Sequence, residues 1–110
     1  MTNTDPSAEE PLPQTETAEI NAVQLGQLMT DLAACADISL IAVRRRVPGE
    51  AMQTIAPDRL DQIQPQLDDP DTAGVQLRYT FEGKAWIDTL SKSDPITYKL
   101  VRMATPQAEA

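Results

Sequence analysis

The stretch VQLRYTFEGKAWIDTLSKSDPITYKLVR, residues Val75–Arg102, decides the fold, because three alternating patterns in it fit one antiparallel meander. A two-residue turn at Glu82-Gly83 sets Phe81 opposite Lys84, Tyr79 opposite Trp86, Leu77 opposite Asp88 and Val75 opposite Leu90. Opposed residues of an antiparallel pair project from the same face, so one face becomes almost wholly apolar. With a second turn in Ser91 to Pro95, Leu90 is expected opposite Ile96, Asp88 opposite Tyr98 and Trp86 opposite Leu100. Gln76, Arg78, Thr80, Thr89, Thr97 and Lys99 then point the other way, together with Ile87 and Val101. A slip of one residue would invert each set, so agreement among three strands supports the face assignment. Asp88 is the single charged residue on the apolar side.

Working outward toward the N-terminus, Val47-Pro48-Gly49-Glu50 reads as a type II turn, with Pro presetting φ and Gly accepting a positive φ. Before it, Ile38–Val43 reads as a strand largely covered on both faces; after it, a hairpin returns through Met52 to Ile55. Pro57 suits the first turn of a short helix over 57–64, and Asp68–Gly74 reads as a solvated loop. An amphipathic helix is expected from Ala22 to Cys35 or Ala36, with Asn21 as N-cap, Gln24 completing a capping box, and Leu25, Leu28, Met29 and Leu32 on one face. The order predicts a small single α+β domain: an N-terminal amphipathic helix packed on a mainly antiparallel sheet that ends in the three-stranded meander.

The 110 residues carry a formal charge of −8, unevenly distributed. Residues 1–18 hold four acidic residues, no Lys or Arg, three prolines and one long aliphatic residue, a composition that cannot offset ordering entropy. They are read as a disordered acidic arm, 19–103 as the folded domain and 104–110 as a flexible tail. No run approaches the ~20 apolar residues of a membrane span. The start lacks the basic and apolar regions of a secretory signal, so a cytoplasmic protein is expected.

The chain has no histidine and one cysteine, which removes Ser-His and Cys-His pairs and the usual zinc sites within one chain. Neither a cofactor nor a metal is expected. The Asp68-Asp69-Pro70-Asp71 run fails the EF-hand pattern, with Ala73 at position five and Thr80 in place of the closing Glu. Asp88 is the one weak catalytic candidate, since desolvation among Leu77, Tyr79, Trp86 and Tyr98 would raise its pKa; the preferred reading is a structural Asp bonded to the Tyr98 hydroxyl or lying at the sheet margin. Cys35 reads as a buried structural thiol.

Arg44-Arg45-Arg46 is the only dense basic feature. Strand alternation splits the three between faces unless the strand ends or bulges there. With Arg78, Ile87, Lys99 and Val101 they form the candidate binding set. The leading expectation is a non-enzymatic accessory protein that binds a protein partner through its sheet face or acidic arm. The alternatives are nucleic-acid or phosphate-ligand binding through the arginine run and a small carboxylate-dependent enzyme using Asp88. Net acidity argues against general nucleic-acid binding.

Overall fold

The computed structural model describes residues 15–47, 49 and 52–105. The meander occupies the centre of a six-stranded sheet. Its strands are β4 (Thr72–Phe81), β5 (Lys84–Asp94) and β6 (Thr97–Ala104). The β4–β5 register is the one expected: Val75 faces Leu90, Leu77 faces Asp88, Tyr79 faces Trp86 and Phe81 faces Lys84. Glu82 and Gly83 both have positive φ, 53° and 77°, as a two-residue type I′ hairpin turn requires.

The β5–β6 register differs by four residues from the one expected. Leu90 faces Leu100, Asp88 faces Arg102, Trp86 faces Ala104, and Tyr98 lies opposite Lys92. The cause is the Asp94 side chain, which accepts hydrogen bonds from the backbone N–H groups of Ile96 and Thr97, both at 2.9 Å. That closes a tight turn at Pro95-Ile96 and leaves Ser91–Asp94 free to extend β5, with an irregularity between Lys92 and Asp94. Ile96, expected in the ladder, is 75% exposed at the turn. An even shift preserves which face each side chain takes, so the face assignment survives although the partners change.

Two further elements flank the meander on the β4 side, β2 (Asp37–Arg45) against β4 and the short β3 (Gln53–Ile55) against β2. Gly49 in the turn between them has φ of 84°, in line with the expected type II geometry; Pro48, Glu50 and Ala51 lie outside the described residues. On the other side, β6 pairs with β1 (Thr15–Asn21), giving the order β1-β6-β5-β4-β2-β3, antiparallel throughout. The helix is therefore not the first element. Disorder through residue 18 does not hold for Thr15–Ala18, which form the first four of the seven residues of β1, and Ala104 closes β6 instead of opening a tail. The rest of the expected arm, residues 1–14, and residues 106–110 lie outside the described residues.

Helix α1 (Ala22–Cys35) begins where expected. Asn21 Oδ1 accepts from the Gln24 backbone at 2.8 Å and Gln24 Oε1 accepts from the Asn21 backbone at 2.9 Å, the reciprocal pair of a capping box. The second helix is displaced from the expected 57–64. A 3₁₀ turn at Leu60–Gln62 runs into α2 (Ile63–Asp68), and Pro65 sits in the first turn of α2, where an N–H would have no partner within that helix. The expected loop after it is shorter, because β4 already begins at Thr72.

Both helices cover the same face. Leu25 and Leu32 of α1, Leu60, and Ile63 and Leu67 of α2 pack on Ile41, Val43, Val75, Leu77, Tyr79, Leu90 and Tyr98. Val75, Leu77, Tyr79, Leu90 and Tyr98 lie on the face that alternation assigned to the core, and Ile41 and Val43 of β2 join them there. The result is one small α+β domain with one covered and one open sheet face. Among the described residues no helix is long and apolar enough to cross a membrane.

Candidate functional site

Asp88 lies on the covered face with no exposed surface. Its partner is not Tyr98. Arg102 donates to it twice, Nε to Oδ1 at 2.9 Å and Nη2 to Oδ2 at 2.8 Å, and the Tyr79 hydroxyl donates to Oδ1 at 3.1 Å. Parallel paired bonds of this kind are the strong form of carboxylate–guanidinium contact. The hydrogen bond and charge of Asp88 hold the Arg102 guanidinium well above its usual range. Burial, then the nearby charge of Asp88, pushes the Tyr79 hydroxyl up as well. Both oxygens of Asp88 are thus engaged by protein groups, and no surface of it reaches solvent. A substrate would have to displace Arg102 or Tyr79 to reach the carboxylate. This arrangement supports the structural reading of Asp88.

Above this cluster, a groove of about 340 Å³ runs between Leu28, Leu32 and Cys35 of α1 and Tyr79, Phe81 and Arg102 of the sheet. Cys35 is an exposed free thiol, against the expectation that it is buried: α1 ends there, and Ala33 and Ala34 beside it in the last turn are exposed as well. Tyr98 instead donates to Asp68 Oδ1 at 2.7 Å, and Lys92 Nζ meets the same oxygen at 2.8 Å. These bonds tie the C-terminal end of α2 to β5 and β6. Lys92, then Tyr98, lowers the Asp68 carboxyl below its ordinary range. Asp69 accepts from the Asp71 backbone at 2.9 Å, so the acidic run is a hydrogen-bonded turn. No group of three metal-ligating side chains is found among the described residues.

The arginine run does not form a patch. A register shift between Arg44 and Arg45 bulges the end of β2. Arg45 Nη1 reaches Thr72 Oγ1 at 3.2 Å and Asp69 Oδ2 at 3.4 Å. Arg46 donates its backbone N–H to the Asp71 carbonyl at 2.7 Å and its Nε to the Pro70 carbonyl at 3.2 Å. Two of the three arginines thus hold the loop between α2 and β4. Arg44 lies opposite Gly74 and lines a groove of about 390 Å³ with Met52, Gln76, Thr89 and Ser91.

That groove belongs to the open face, where the remaining candidates do come together. Across the ladders, Ile87 lies between Arg78 and Met103, Val101 between Thr89 and Thr17, and Lys99 between Ser91 and Glu19. On β2, Leu40 lies opposite Arg78 and Ala42 opposite Gln76. Leu40, Ile87, Val101 and Met103 are each half-buried. Leu40 and Met103 are absent from the sequence-derived set. Reading β2 as covered on both faces hid Leu40, and the four-residue misregister of β6 left Met103 without a neighbour. Alternation from Ile41 and Val43 would have placed Leu40 correctly.

No protein-family model, no curated protein and no solved structure matches this chain.

Proposed function

We propose that the protein is a non-enzymatic binding module whose open sheet face docks an acidic protein partner through apolar anchors. The observation that carries this reading is the asymmetry of the sheet: α1 and α2 both pack on one face, leaving Ile87, Val101 and Met103 at neighbouring ladder positions on the other, with Leu40 across Arg78 from Ile87. Single exposed apolar residues are ordinary, whereas a contiguous stripe rimmed by polar groups is typical of contact surfaces. The charge of the partner follows from the rim. Arg44 and Lys99 flank the apolar residues and Arg78 lies among them, between Leu40 and Ile87, against Glu19 on the β1 edge and Asp37 at the start of β2. Such a distribution steers an acidic surface to the face, and the apolar residues hold it once water is excluded. The buried, fully engaged state of Asp88 supports the non-enzymatic part of the reading.

Site-directed photo-crosslinking tests it. A photoreactive residue at Thr89, exposed in the middle of the open face, should capture a partner, while one at Asp31 on exposed α1 should not. Equal capture from both positions, or capture from Asp31 alone, would move the contact off the open face.

A further inference from the structure

Strand β1 is the outer strand of the sheet on one side, and six of its seven residues are exposed. Its pairing with β6 runs through seven consecutive positions without a bulge, and it contains neither Pro nor Lys. Proteins blunt exposed edges with those devices, or by making the edge strand very short. The opposite edge is short: β3 has three residues. Among the described residues β1 is thus the one long outer edge, and its only protection against pairing is the charge of Glu16 and Glu19.

We infer that two copies of this chain pair through β1, antiparallel, about a two-fold axis that passes midway between the two Ala18 residues, perpendicular to the sheet. Glu16, Ala18 and Ile20 lie on the covered face, opposite Arg102, Leu100 and Tyr98. A two-fold axis at Ala18 sets Ala18 against the partner's Ala18, Glu16 against the partner's Ile20, and Thr17 against the partner's Glu19. No glutamate faces a glutamate, and Thr17 can donate to the partner's Glu19. A one-residue shift in either direction joins the covered face of one copy to the open face of the other, and the shift toward the N-terminus also sets Glu16 directly against the partner's Glu19 twice, which is repulsive. The Ala18 register keeps all helices on one side. Because the same edge serves both copies and β3 offers no second long edge, association closes at two instead of growing into a fibre. The joined sheet has twice the six strands of one copy, with both open faces on the same side.

A seven-residue edge is a small interface, and interfaces below ~1,200 Å² in total associate weakly, so the test is sedimentation equilibrium up to about 0.5 mM. The expected result is reversible formation of a species with twice the 12.0 kDa of one chain. Ala18→Lys, which sets two like charges across the axis, should shift the dissociation constant up at least tenfold. In a Cys35→Ser background, Ala18→Cys should oxidise to a cross-linked dimer much faster than Thr17→Cys, because directly opposed Cβ atoms lie within disulfide reach. A chain that stays at 12.0 kDa at every concentration overturns the inference, even if another protein's strand occupies the edge. Equal cross-linking rates at positions 17 and 18 overturn the register. The cross-linking comparison remains decisive if Ala18→Lys fails to fold.

Discussion

Removing the carboxylate of Asp88 leaves the Arg102 guanidinium, only 28% exposed, facing an apolar hole. Breaking a buried pair from one side is costly, so Asp88→Leu should destabilise the domain by about 3 kcal/mol. Replacing Arg102 with Leu as well removes the orphaned charge, and the double variant should recover most of that loss, with a coupling of ~2 kcal/mol in urea midpoints. Simple additivity would mean that the two side chains do not meet. Asp88 was legible in the sequence as the charged residue on an apolar face, because a period of two fixes the face of every strand residue. Its partner was not legible, because the partner depends on how many of Ser91–Asp94 belong to the strand. Those polar residues read as loop, and only the Asp94 side chain bonding to Ile96 and Thr97 shows the turn to be tighter.

At the scale of elements, the β4–β5 hairpin carries a small reservoir of strain. Glu82 holds φ at 53°, a left-handed conformation that costs a residue with a Cβ about 1 kcal/mol. Glu82→Asn should raise stability by ~0.5 kcal/mol, since Asn-Gly is the favoured pair for this turn, and thermal unfolding will show it. The cap of α1 acts in the opposite sense: Asn21→Ala should cost about 1 kcal/mol, measured in the same way. Asp68 makes the link between α2 and the sheet depend on pH. Its carboxyl is lowered in the folded protein from an ordinary value of 3.8, so its contribution is present above that value and is lost as the pH falls through the folded one. The gap in urea midpoint between the native chain and Asp68→Asn should therefore be widest near neutral pH and close as the pH falls below the ordinary carboxylate value and through the lowered folded one. A gap independent of pH would show that the carboxylate does not hold α2. The α1 boundaries were legible because caps are local, side chain to nearby backbone. Strand β1 was not: Thr15-Glu16-Thr17-Ala18-Glu19 has no long apolar side chain, and its order comes from the backbone ladder to β6.

For the whole molecule, function turns on which side of the sheet meets a partner. Part of the open face could be read from sequence, since Arg78, Ile87, Lys99 and Val101 fall together by alternation alone. The arginine run could not be resolved that way, because the bulge that turns Arg45 and Arg46 onto the 69–72 loop is a tertiary event. The open face and the buried Asp88 cluster make opposite demands on a binding measurement with the partner captured from position 89. Isothermal titration of that partner against the Ile87→Asp/Val101→Asp variant and the Asp88→Leu/Arg102→Leu variant separates them. Anchors at the centre of an interface are worth more than about 1 kcal/mol each, so the first variant should lose tenfold or more in affinity while staying folded, and the second should bind as the native chain does. Undiminished binding by the open-face variant, with loss in the Asp88/Arg102 variant, would contradict the account and place the function in the buried cluster.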